Sequence, residues 1–152
     1  MKYCITVLFI LLSSFAFAQN TTVDRTKHLN LENGIAIQGY DPVAYFVNKA
    51  LKGEKQYKAN YNGAIYFFSS ELNKNNFLKN PSKYEPKYGG WCAFAMGDNG
   101  KKVEIDPETF KIIDGSLYLF YNAFFNNTLK SWNKDEKNLK ANAEKNWSTI
   151  IK

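Results

Sequence analysis

Cys92 has Tyr88 four residues before it and Met96 four residues after it. Residues four apart share one face of a helix, so a helical run 91–96 sets Cys92 beside Met96. A thiolate and a thioether are soft ligands that suit copper(I) and similar ions. His28, the single histidine, is the imidazole available as a third ligand. The same pair also reads as core, because free cysteine is among the most buried residue types and Trp91 and Phe94 adjoin it. A third reading makes Cys92 a nucleophile, which needs a base to form the thiolate; His28 is again the one imidazole on offer. Metal site, core and thiol enzyme all stay open at this point. The sequence has no glycine-rich phosphate loop, no histidine cluster and no serine nucleophile elbow.

A second constellation is aromatic. Tyr40, Tyr45, Tyr84, Tyr88, Trp91, Tyr118, Tyr121 and Trp132 supply flat apolar walls with polar tips. Gathered around a concavity, such residues suit a small organic ligand; dispersed, they are ordinary core. The ligand-binding residues expected from this reading are Tyr40, Asp41, Tyr45, Tyr88, Trp91 and Cys92. Asp41, Asp106 and Asp114 each adjoin proline or glycine, or sit at a turn, and are explained locally as turn and cap residues.

The elements that position these residues are legible in part. Asn62-Gly63 is a preferred two-residue hairpin turn, since both positions tolerate positive φ. Pairing outward from it places Tyr57, Ala59, Tyr61, Ala64, Tyr66 and Phe68 on one core-facing side. Asp114-Gly115 does the same for 110–113 and 117–120, with Phe110, Ile112, Leu117 and Leu119 sharing a face. Residues 34–38 form a weak short strand. Asp41 and Pro42 start a helix carrying Val43, Ala44, Phe46 and Val47. A helix capped by Ser69 or Ser70 follows the first hairpin, with Leu72 and Phe77 inward and Pro81 ending it. Gly89-Gly90 breaks the chain before the run 91–96, and residues 98–100 make a turn. Asp135 caps a final helix with Leu139, Ala143, Trp147 and Ile150 on one stripe. Two antiparallel hairpins packed on helices, with a C-terminal amphipathic helix, define an α+β domain over 34–151.

Residues 1–18 read as a secretory signal: Lys2, a short apolar run and Ala16-Phe17-Ala18 ahead of Gln19. The apolar run is shorter than the roughly 20 residues that span a bilayer, so no span is expected after cleavage. Residues 19–33 read as a flexible polar leader into the domain. The expected destination is periplasmic or secreted. Cleavage removes Cys4 and leaves Cys92 as a single thiol in an oxidising space. The net charge of +6 is scattered among acids along the 152 residues, which describes a solvated basic surface and not a nucleic-acid site.

Several motifs resemble the YHS domain family. Tyr61-x-Gly63-x-x-Tyr66-Phe67-Phe68-Ser69-Ser70, then Phe77, Pro81 and Tyr84, are similar to its central pattern, and Asp41-Pro42-Val43 to its opening. The stretches 39–45 and 88–93, with 114–119, resemble an exported bacterial branch of that family, so the resemblance runs from about Gly34 to Trp147. It implies a small metal-associated module, with copper or another soft ion bound through cysteines. Those cysteine positions fall on Ala44, Ser69 and Asn73 here, and the methionine position on Phe46. The resulting expectation is a non-enzymatic binding or accessory module for a metal ion. The alternatives are a small-ligand or exported-partner binder acting through aromatics, and a thiol enzyme centred on Cys92.

Overall fold

The computed structural model describes residues 25–152; the expected signal sequence, with Cys4, lies outside them. Strands β1 (Leu31–Glu32) and β2 (Ile35–Ala36) turn through Asn33-Gly34. Strands β3 (Glu54–Tyr61) and β4 (Ala64–Phe68) close at Tyr61 opposite Ala64, around Asn62 at φ 47° and Gly63 at φ 86°. That is the first expected hairpin, with the positive φ values that asparagine and glycine accept. β2 lies parallel to β4 through Ile35 and Ile65, giving a sheet ordered β1-β2-β4-β3. Ala59, Ala64, Tyr66 and Phe68 are buried on the expected face, with Tyr57 and Tyr61 packed partly against it.

The expected helix after Asp41 is a single 3-10 turn, Ala44–Val47, stopped by Asn48 in the left-handed region. Helix α1 (Glu71–Lys79) follows β4, and its N-cap is Ser70, whose hydroxyl accepts from the Asn73 amide at 3.2 Å. Phe77 is buried as expected, whereas Leu72 is 69% exposed. The two differ by five residues, which rotates them about 140° apart on an α-helix, so a short helix cannot bury both. Pro81 does not merely end α1; it opens a one-turn helix α2 (Pro81–Tyr84), where a missing N–H costs nothing.

The run after Gly89-Gly90 becomes helical only from Ala93: α3 (Ala93–Asn99) has Cys92 as its non-helical N-cap, and it ends at Gly100 with φ 72°, so residues 98–100 are a helix terminus. Strands β5 (Asp106–Ile113) and β6 (Ser116–Phe120) form the second expected hairpin about Asp114-Gly115. Leu117 and Leu119 face one core cluster, together with Phe110 and Ile112. Tyr118 and Phe120, one residue out of phase, face a second cluster. This hairpin is therefore a wall between two cores, and its period-2 pattern is apolar on both sides.

Strands β7 (Asn122–Ala123) and β8 (Asn126–Asn127) make a small hairpin that leads into α4 (Thr128–Trp132). Helix α5 (Glu136–Ile150) completes the fold; Ala143 is buried and Leu139, Trp147 and Ile150 pack on the second cluster, the expected stripe. Asp135 precedes it, but its carboxylate accepts from the Asn138 side chain at 2.8 Å and makes no capping bond to backbone. Gly97 lets α3 and α5 approach closely, since a Cβ there would run into the Leu139 carbonyl.

The described part of the leader, 25–33, is docked and not loose. A 3-10 turn (Arg25–His28) precedes β1, Arg25 pairs with Glu85 at 2.5 Å, and the Asn30 amide donates to the Gly89 carbonyl at 2.8 Å. Its polar composition serves contacts with residues some sixty positions away, which sequence patterning does not register.

Candidate functional site

Asp41 is wholly buried. One carboxylate oxygen accepts from the amides of Val43 at 2.8 Å and Ala44 at 3.4 Å, so Asp41 does cap the turn that begins at Pro42. The other oxygen accepts from the Ser69 amide at 2.8 Å, the Ser69 hydroxyl at 2.7 Å and the Asn73 side-chain amide at 2.7 Å. Ser70 capping α1 sets Ser69 and Asn73 on the side facing Asp41. Every contact donates to the carboxylate, the pattern an acceptor-only group needs. Ala44, Ser69 and Asn73, where the resemblance places metal-binding cysteines, thus surround one saturated carboxylate. They offer no sulfur, and the Asn73 nitrogen is committed as a donor. This donor set does not fit a soft metal ion.

Cys92 is also wholly buried. Its sulfur accepts from the Tyr121 amide at 3.3 Å and lies 3.4 Å from the Thr128 hydroxyl. Met96 packs in the second cluster beside Tyr88 and Trp132. His28 lies against Trp147, ring centroids 6.5 Å apart. The three residues of the expected metal set therefore have three different surroundings. Among the described residues, no group of three or more His, Cys, Asp or Glu side chains is placed to hold a metal.

The expected aromatic pocket is dispersed. Tyr45 is wholly buried, donates to the Pro107 carbonyl at 2.8 Å and packs edge-on to Phe110. Burial pushes its phenol far above the usual range. Tyr40 donates to Glu108 at 3.0 Å beneath the Lys52 ammonium. Tyr84 packs on Phe46 and Phe77, and Tyr118 and Trp132 stack within the second cluster. Tyr121 packs against the first cluster. Trp91 donates to the His28 carbonyl at 2.8 Å. Large rings fill cores efficiently, and most of these do that. Of this group only Tyr88 lines the cavity described next.

That cavity, of about 450 Å³, opens where the leader, α2, the glycine turn and the end of α5 meet. Leu29, Leu31, Ala36, Ile37, Pro86, Trp147 and Ile151 form its apolar wall, and Arg25, His28, Asn30, Glu85 and Lys87 its polar part. Glu85 accepts from Arg25 at 2.5 Å and from the Tyr66 hydroxyl at 2.6 Å. Burial raises the Tyr66 phenol far above its usual range, and the charge of Glu85 adds to the rise. Burial lowers the Arg25 guanidinium, but the Glu85 hydrogen bond and charge outweigh it and the net shift is upward. Tyr88 is raised likewise, by burial first and then by Glu144, to which it donates at 3.3 Å. Both phenols on the wall are fixed donors.

Two features mark this wall. The Nδ1 atom of His28 is buried with no hydrogen-bond partner. Ile37 at φ 52° and Tyr88 at φ 56° sit in the left-handed region. A β-branched residue there is a genuine outlier, and such backbone strain gathers at ligand clamps and active sites. Neither feature was visible in the sequence: no residue type announces an orphan nitrogen, and isoleucine is the last residue a positive φ would be assigned to.

Residues 43–88 match the model of the YHS domain family. No curated protein and no solved structure matches the chain. The matched span is narrower than the motif resemblance from 34 to 147. It contains Ala44, Ser69 and Asn73, and it ends on Tyr88, at the cavity wall. Residues on both sides of that boundary line the cavity, so the matched domain supplies only one side of it.

Proposed function

We propose, from the YHS domain at residues 43–88, that this chain is an exported, non-enzymatic accessory module that binds a small amphipathic organic molecule beside His28. The observation that carries the reading is the cavity itself, lined by His28, whose Nδ1 is buried with no hydrogen-bond partner. A buried polar atom left unpaired costs about 1–3 kcal/mol, and a ligand whose entry turns the His28 ring to meet it recovers that loss. The cavity volume lies in the range of small-molecule sites, and its mixture of apolar wall and few polar groups is typical of them. The Arg25–Glu85 pair balances its own charge, which favours a ligand that is mainly apolar with one hydrogen-bonding end.

The metal role that the family resemblance implies has no soft-ligand set around Asp41 to support it. A thiol enzyme would need Cys92 accessible and beside a base; its sulfur is enclosed by Tyr121 and Thr128. Export rests on the 1–18 pattern alone.

Titration with 8-anilino-1-naphthalenesulfonate, excited directly at its own absorption band so that added tryptophan does not enter the signal, tests the site. Ser82 is exposed at the rim, so Ser82→Trp covers the mouth without disturbing the core. It is expected to weaken saturable dye binding about tenfold, one decade of affinity. Equal affinity in the two chains would sink the reading.

A further inference from the structure

Among the described residues, four hairpins turn through two residues of positive φ: Asn33-Gly34, Asn62-Gly63, Asp114-Gly115 and Phe124-Phe125. Three use the Asn-Gly or Asp-Gly pair that left-handed dihedrals select. The fourth puts two phenylalanines into that geometry, at φ 51° and 67°. The two residues are 91% and 111% exposed, so no packing among the described residues offsets either the strain or the hydration of two rings. The same chain solves this turn cheaply three times; local folding needs do not explain the fourth.

The sequence around the tip carries charge of one sign, and the acids nearest the hairpin lie at its base, where Asn122 donates to Thr109 and Thr109 to Asp106. From Ser116 to Lys134 the sequence has no acidic residue, and its charges are Lys130 and Lys134. Both lysines are exposed on or just after α4, the helix that β8 runs into, and no acid pairs with either among the described residues. Asn122, Asn126 and Asn127 flank the rings with neutral amides. The tip is convex and narrow, with two adjacent rings at its apex. A convex apolar apex fits a medium that opens to admit it, and the exposed cations of the helix that follows favour an anionic one.

We propose that the β7–β8 hairpin is a membrane-contact wedge, with Phe124 and Phe125 entering the interface of an anionic lipid surface while Lys130 and Lys134 engage its headgroups. Aromatic rings settle at this depth, and basic residues near the surface add electrostatic attraction. The contact is peripheral; no described helix is long and apolar enough to cross a membrane. It is independent of the cavity, so failure of the wedge leaves the ligand site standing, and the reverse.

The test is flotation of the full chain with vesicles of phosphatidylcholine containing phosphatidylglycerol, against phosphatidylcholine alone. Its partner in the comparison is Phe124→Asn with Phe125→Gly, which installs the turn used elsewhere in the chain. The variant is expected to stay folded with an unchanged or raised Tm, and to lose about tenfold in partition onto anionic vesicles, as removal of buried apolar area requires. A segment elsewhere that binds lipid contributes equally to both chains. A local readout accompanies it: Phe125→Trp is expected to gain a blue-shifted emission component, relative to the unaltered chain, when anionic vesicles are added. Equal partition of the two chains, equal binding to neutral and anionic vesicles, or an unshifted Phe125→Trp emission overturns the proposal. Crosslinking from the tip to one protein in place of lipid overturns it also, in favour of a protein partner.

Discussion

Asp41 and His28 are both polar side chains with atoms out of reach of water, and the fold treats them in opposite ways. Around Asp41, five donors from two backbone segments and two side chains converge on one carboxylate. Around His28, the carbonyl accepts from Trp91 and the ring stands perpendicular to Trp147, yet Nδ1 has no partner. Low dielectric strengthens a satisfied network and penalises an unsatisfied atom. The saturated centre therefore reads as structure: it ties the start of the matched domain, at 41–44, to the start of α1. The unsaturated centre reads as a place waiting for a partner. The difference also separates what the YHS match describes from what this chain adds, because Asp41 adjoins the matched span and binds residues within it, while His28 comes from the leader outside it.

The largest expected effect breaks the first side of the comparison. Asp41→Ala strands the Ser69 and Val43 amides and the Asn73 side chain in a dry environment. It should destabilise by about 4 kcal/mol, the scale of removing one member of a buried charge-assisted network, read as a lower urea midpoint. Asn73→Ala, which removes one donor and leaves the others, should cost about 1 kcal/mol. If Asp41→Ala costs no more than Asn73→Ala, the centre is not a structural tie and its role must be sought in binding.

The first side was also the more legible one. Asp41 ahead of Pro42 announces a turn cap, and the Asx-Gly pairs at 62–63 and 114–115 announce hairpins, because each signal is local and each has one steric cause. The partners at Ser69 and Asn73 lie about thirty residues away, and no periodicity links them to Asp41. The α5 stripe was legible because fifteen residues repeat one pattern; Leu72 is a poor guide because the three apolar residues of α1, Leu72, Phe77 and Leu78, do not share one face, and only Phe77 is buried. The second face of β6 is not legible in the sequence, because Tyr118 and Phe120 occupy what patterning makes the solvent side of a hairpin, and α3, α4 and α5 cover them. The cavity was hidden for a deeper reason. It is assembled from four chain segments, and its marks, a positive φ at Ile37 and an orphan atom on His28, are properties of the tertiary structure and not of residue type.

An intermediate effect sharpens the second side. Gly89 has φ 63°, and a Cβ there would lie 2.7 Å from the His28 carbonyl oxygen and 3.0 Å from the Trp147 ring. Gly89→Ala should therefore cost about 2 kcal/mol, from left-handed strain together with local overpacking, and should move the leader away from the cavity. Gly97→Ala is the control: it pushes α3 from α5 at Leu139, remote from the cavity lining, and should destabilise without changing dye affinity. Thermal melts and dye titrations on both variants check this. Parallel loss of affinity in the two would mean that the dye reports global loosening and not a site.

The smallest expected effect has the opposite sign, and it separates the two centres most cleanly. His28→Phe keeps a planar ring against Trp147 but removes the buried nitrogen. Replacing an unsatisfied buried polar atom with carbon should stabilise the empty protein by up to about 1 kcal/mol, toward the low end of the penalty for such an atom. The same change should weaken any cavity ligand that hydrogen-bonds to Nδ1. Stability up and affinity down from one substitution is the signature of a group held in an unfavourable state for binding, the trade commonly found at functional sites. A fall in Tm for His28→Phe would show that Nδ1 already has a partner in the folded chain. His28 would then belong with Asp41, as structure, and the cavity would have lost the feature that sets it apart from the rest of the surface.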